Sequence, residues 1–167
     1  AHAPGWASGT PFDGAYATYG ALNCEPDLKP VSRALAQRVR VGGRLLVGVY
    51  NRWCLFELVG YGLTGQFHRA VGRRRNPIQV GGSRFCIDVY AYSPNPFARE
   101  FSPEFAVERV EAVPLMLPPS DLSRYAEMFS PRFPTLARAD AWLGRRAVLS
   151  GWGDHFLMTL RRIEPSR

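Results

Sequence analysis

The chain has 167 residues, of which 46% are hydrophobic, 13% aromatic and 21% charged. That is the length of one domain, with enough apolar matter for a packed core, which excludes a disordered chain. The 21 Lys and Arg outnumber the 14 Asp and Glu to give +7, with Lys29 the one lysine. A charge of this size permits nucleic-acid or anionic-lipid binding without arguing for it. No uncharged apolar run reaches the ~18 residues that a membrane-spanning helix needs. The N-terminus lacks the basic, apolar and small-residue succession of a secretory signal. Cys24, Cys54 and Cys86 stand in unrelated contexts without a C-x-x-C pair. That pattern argues against a disulfide framework or a structural zinc and fits a reducing, cytoplasmic setting. The first residue is Ala1, as in a piece of a longer polypeptide.

Residues 1–11 read as a loop, with glycines, prolines and no periodicity. Phe12 to Gly20 predicts a short strand buried on both faces. Asn23 to Pro26 then offers helix-capping chemistry, and Leu28, Val31, Leu35 and Val39 recur at helical spacing. Gly42-Gly43 reads as the tight turn ending that helix. Arg44 to Tyr50 follows as a near-continuous apolar strand of the kind found inside parallel sheets. Residues 12–50 thus predict a βαβ unit. Residues 51–92 read as a lid or insert: a short buried or lid-like helix within Asn51 to Phe67, a basic connector from His68 to Arg75, and two short strands around Gly81-Gly82. The remainder, 93–167, holds a helix capped by Ser93, a strand over Phe105 to Leu115, helices over Asp121 to Phe129 and Leu136 to Leu149, a loop at Gly151 to Asp154, and a last strand from His155 to Ile163.

Two pieces of sequence carry a family signal. The first is Phe12-Asp13-Gly14-Ala15-Tyr16, with Ala21-Leu22-Asn23 after the strand; the second is Arg38-Val39-Arg40-Val41-Gly42-Gly43-Arg44-Leu45-Leu46. In that order and at that distance they resemble the middle of class I S-adenosylmethionine-dependent methyltransferases. There a Phe-Asp-x-Val strand precedes a helix, a Leu-x-Pro-Gly-Gly turn and another strand. Val41 stands here where the family has proline, and Ala15 where it has valine. The resemblance implies an α/β fold: the C-terminal half of a Rossmann-like sheet, with helices on both faces. Its last strand would be antiparallel and inserted beside its predecessor. The glycine-rich cofactor turn and the acidic residue that takes the ribose hydroxyls are absent from this chain, so the resemblance places them in a missing N-terminal half.

The same resemblance implies which residues meet S-adenosylmethionine and the acceptor. At the end of the first strand these are Ala17, Thr18, Tyr19 and Gly20, with Asn23 in reach, for the methionine part of the cofactor. Asn51, Arg52 and Trp53 at the end of the next strand, with Tyr92, would touch a small-molecule acceptor. The plainer readings are a strand-to-helix turn for the first group and a helix cap followed by a buried tryptophan for the second. His155 and Asp154 are adjacent, and strand alternation would point them to opposite faces, which makes His155 a structural histidine. His2 and His68 offer no metal site. Arg69, Arg73, Arg74 and Arg75, with Arg84, read as a solvated loop lacking the aromatic platform of a single-strand binder.

The implied activity is methyl transfer to a small molecule, incomplete in this chain alone, with no catalytic residue named. The alternative is a non-catalytic α/β module that binds a partner through an exposed sheet edge and the basic loop. A weaker one is an RNA methyltransferase, whose binding would fall with rising salt.

Overall fold

The computed structural model describes residues 9–18, 20–82, 85–118 and 132–164. Its elements are β1 (Phe12–Ala17), α1 (Leu28–Ala36), β2 (Val39–Tyr50), α2 (Leu55–Leu63), α3 (Phe67–Ala70), β3 (Ile78–Gly82), β4 (Phe85–Val89), α4 (Pro94–Glu100), β5 (Phe105–Val113), α5 (Phe133–Gly144) and β6 (His155–Arg162). Four strands form one sheet in the order β1-β2-β6-β5, and β3 and β4 form a separate antiparallel hairpin. β1 and β2 are parallel and joined through α1, whereas β6 enters between β2 and β5, antiparallel to both. The α/β class and the inserted last strand agree with the expectation.

Side-chain alternation gives the sheet one packed face. Leu45, Val47 and Val49 of β2 and Phe156, Met158 and Leu160 of β6 point to that face and are buried. Leu28 of α1, Phe97 of α4 and Phe101 just after it cover them, with the Phe97 and Phe101 rings stacked at 5.0 Å. The opposite face is less covered: Tyr16 is 79% and Leu46 40% exposed. β1 is therefore not buried on both faces as predicted. It is the edge of the sheet, with neighbours on one side only among the described residues.

The Gly42-Gly43 pair also differs from its reading as a helix stop. α1 already ends at Ala36, and β2 starts at Val39 and runs through the glycines. Between Phe12 and Gly14 the β1–β2 register jumps from Val39 to Arg44, so the pair sits in an irregularity of the strand. Gly42 takes φ 81°, and a Cβ on Gly43 would lie 2.8 Å from Asp13 O and 2.9 Å from Arg40 O. Glycine is needed here by a bulge, not by a helix terminus. The helix cap is likewise displaced: Asp27, not a residue of 23–26, accepts from the Lys29 amide and starts α1.

Later elements lie near their expected places. Ser93 precedes α4 with extended backbone, though its hydroxyl makes no capping bond. α5 begins and ends a few residues before the predicted Leu136 to Leu149. The helix expected over Asp121 to Phe129 lies outside the described residues. α5 is held against β5 at Gly144, where a Cβ would lie 2.4 Å from Ala112 O. Alanine within a helix ordinarily stabilises by ~0.5–1 kcal/mol over glycine. Here the sign reverses: Gly144→Ala is expected to cost about 1–3 kcal/mol by forcing α5 off the sheet. A downward shift of the urea midpoint would measure it.

Candidate functional site

β1 and β2 end at one edge of the sheet, and β6 begins there, with Tyr50 opposite His155. The rule for open α/β sheets puts ligands outside the carboxyl ends of the parallel strands, which is this edge. Beyond β1 the chain turns at Gly20, whose φ of 70° is a left-handed conformation that suits glycine. Its amide donates to Gly48 O, and a 3-10 turn over Ala21–Cys24 follows. Ala17 packs against the core, and Thr18 O accepts from the Ala21 amide. Tyr19 lies outside the described residues.

Asn23 is 1% exposed, and its carboxamide is taken up by backbone. Its Nδ2 donates to Tyr50 O at 3.1 Å and Tyr90 O at 2.6 Å, while Oδ1 accepts from the Tyr50 amide at 2.9 Å. Asn23 thereby ties the end of β2 to the exit of the β3–β4 hairpin. Asn51 does similar work on the other side. It is fully buried, and its Nδ2 donates to Gly151 O at 2.8 Å and Gly153 O at 3.0 Å. Arg52 donates its amide to Tyr92 O, Asn51 bridges to Tyr92, and the Tyr92 hydroxyl donates to Glu25 O at 3.3 Å. Burial, reinforced by Glu100 and other nearby charges, pushes the Tyr92 hydroxyl above its usual pKa. Trp53 lies 6.1 Å from Trp152, with the Arg74 guanidinium 5.2 Å over its ring. The predicted residues that are described thus gather at one edge, with the Asn23 and Asn51 carboxamides bound inward and Arg52 and Trp53 half-exposed.

A second cluster beside them was not anticipated. Arg73, expected on a solvated loop, is 5% exposed. Its Nε donates to Glu57 Oε2 at 2.8 Å and its Nη2 to Glu57 Oε1 and Asp154 Oδ1, both at 2.5 Å. Nη1 donates to the carbonyls of Asp154 and Asn51, and the guanidinium sits 4.1 Å over the Tyr50 ring. Burial opposes the Arg73 charge, but the bonds to Glu57 override it and hold the group above its usual pKa. Cys54, Glu57 and Asp154 also bring potential metal-ligand atoms within 4.8 Å of one another. Burial, however, pushes the Cys54 thiol up to about 11, so it stays protonated, and both carboxylates already hold the guanidinium. The internal cation of this cluster is Arg73.

The structure also overturns the separation of Asp154 from His155. Asp154 Oδ2 and His155 Nδ1 lie 2.9 Å apart, because β6 starts at His155 and Asp154 belongs to the bend before it. Strand alternation does not apply across that boundary. Burial would raise the Asp154 carboxyl, but the His155 hydrogen bond and the Arg73 charge hold it below its usual pKa. It is a carboxylate and can only accept, so Nδ1 of His155 carries the proton. The sequence holds one signal for this cluster: Glu57 is the sole acid of the apolar stretch 53–67. A lone charge in such a stretch needs a partner.

No helix among the described residues is long and apolar enough to cross a membrane. No protein-family model matches the chain. No curated protein matches it either. Among solved structures it is similar to an S-adenosylmethionine dependent methyltransferase from Mesorhizobium loti, at 16% identity and a TM-score of 0.46. The match covers 91% of this chain and 62% of that protein, so the chain spans less than two thirds of its length.

Proposed function

We propose that the chain is the C-terminal part, 1–167, of a class I methyltransferase domain whose parent transfers a methyl group from S-adenosylmethionine to a small-molecule acceptor. The observation that carries this reading is the sheet: a parallel pair joined by a helix, then a last strand inserted antiparallel between the second and its successor. The Phe12–Asn23 and Arg38–Leu46 sequence pieces support it.

The residues present do not by themselves fit S-adenosylmethionine. Asn23, the polar side chain predicted to reach it, is bound inward, and among the described residues no glycine-rich turn or ribose-binding carboxylate lies at the ends of β1 and β2. In this reading the turn 17–20, with Tyr19, lines the methionine side, and Asn23 shapes that turn. Arg52 and Trp53 face the acceptor, and Asn51 and Tyr92 hold them in place. The insert 51–92 closes over the acceptor and sets its specificity. The work of this half is positioning, which supplies most of the rate in a displacement between well-oriented reactants. The exposed edge of β1 is where the missing N-terminal half would pair.

That same edge favours a second reading, a binding module with no catalysis, since an unpaired strand is a template for another chain. Calorimetry with S-adenosylhomocysteine separates the two. Binding by the polypeptide extended upstream of Ala1, and not by this chain alone, is the expected result. No heat from either form would sink the methyltransferase reading in favour of the module. The RNA variant of the reading has lost one phosphate-facing cation, because Arg73 is buried and paired.

A further inference from the structure

We propose that His155 is the proton acceptor of the acceptor-binding site, oriented by Asp154, which is itself fixed by Arg73. The inference deepens the methyl-transfer reading and rests on it for the identity of the acceptor.

The geometry is that of an activated base. Its orienting group lies on Nδ1 at 2.9 Å, which leaves Nε2 as the atom with a lone pair. Nε2 makes no hydrogen bond among the described residues, and the side chain is 32% exposed. Tyr50 of β2 meets the imidazole edge-on with ring centroids 5.4 Å apart, and Val113 of β5 pairs with His155 from the other strand. Asp154 is held at both oxygens, Oδ2 by His155 and Oδ1 by Arg73, so it cannot swing away. A histidine needed only for packing has no use for a carboxylate locked in this way at the ligand edge of the sheet. The chain positions the ring beside Tyr50, on the strand between β6 and β1, whose end leads into the turn at Gly20.

The step is a proton transfer. The O–H or N–H bond of the acceptor breaks, its electron pair stays on the heteroatom, and the proton moves to Nε2. The imidazolium that forms is balanced by the Asp154 carboxylate, and the acceptor gains the lone pair it needs as a nucleophile. The reading predicts a small acceptor with a hydroxyl or protonated amine, not one that is already nucleophilic.

The test is carbethoxylation by diethyl pyrocarbonate at neutral pH on this chain, followed by peptide mass spectrometry, with exposed His68 as internal comparison. His155 is expected to react at least as fast as His68 despite its lower exposure. Asp154→Asn is expected to slow it about threefold, because the ring loses the carboxylate that holds the proton on Nδ1 and leaves the lone pair on Nε2. Should Asp154→Asn fail to fold, nitrogen NMR of the wild-type chain replaces it, with a protonated Nδ1 and a bare Nε2 as the expected spectrum. An unreactive His155, a rate indifferent to Asp154, or a proton on Nε2 would overturn the proposal. His155→Gln should leave S-adenosylhomocysteine binding by the extended polypeptide unchanged. If no form binds that ligand while His155 reacts as expected, the methyl-transfer reading falls and the proton acceptor stands.

Discussion

Arg73→Ala is expected to destabilise the chain by about 3–5 kcal/mol, the cost of removing one partner from a buried ion pair. The loss exceeds that of an exposed pair such as Arg40–Asp13, whose members are 55% and 88% exposed and for which surface pairs set the scale at ~0–1 kcal/mol. In the variant, Glu57 and Asp154 remain buried without the guanidinium, and the carbonyls of Asn51 and Asp154 lose a donor. The deficit depends on pH with a definite sign. The Asp154 carboxyl of the wild type is held below its unfolded value of about 4, so its contribution is present above that value and is lost as pH falls through the folded pKa. Without Arg73, burial acts on Asp154 with less opposition and its pKa rises, which penalises the variant at neutral pH and relieves it in acid. Urea denaturation of both proteins at about pH 7 and about pH 4.5 should show the gap narrowing at the lower pH. A gap that widens in acid would contradict the network.

Phe97→Ala is expected to cost a further about 3–5 kcal/mol, as for other buried aromatics cut to alanine. Phe97 is fully buried and central to the aromatic cluster on the packed face. It stacks on Phe101 and meets Phe156 and Tyr92 edge-on, with centroids 5.6 Å away in both cases. A cavity there undermines α4 against β6 and removes the ring beneath Tyr92. Thermal denaturation should report the loss, and Phe97→Leu should recover a good part of it by refilling the volume. Equal losses in both variants would mean that ring geometry, not volume, holds the cluster.

The sheet was legible where a strand's burial is written in its own residues. Leu45–Val49 and Phe156–Leu160 are apolar runs whose alternate members fill the core, and both strands lie where those runs predict. β1 was misjudged because its apolar residues, Phe12 and Tyr16, carry no mark of whether a neighbouring strand or layer exists to cover them. Gly42-Gly43 was misjudged because a positive φ serves a helix end and a strand irregularity equally well. Of the candidate residues, the position at the strand ends was readable, since topology fixes it. The roles of Asn23 and Asn51 were not, because their backbone partners come from Tyr90, Gly151 and Gly153, far along the chain. Arg73 looked like its exposed neighbours Arg74 and Arg75 for the same reason: its partners are 16 and 81 residues away.

That separation also governs how the molecule opens. The excursion between β2 and α4 leaves the sheet and returns to it, yet Arg73 from its middle is bonded to Asp154 at the root of β6. The excursion is therefore not a flap that melts on its own. Its base belongs to the same cooperative unit as the central strands, and amide protons in the first turn of α2 should exchange on the timescale of β6 rather than that of a loop. Leu63 and Phe67 lie beyond the clamp, 86% and 69% exposed, and amides from there on are expected to exchange faster than those of β6.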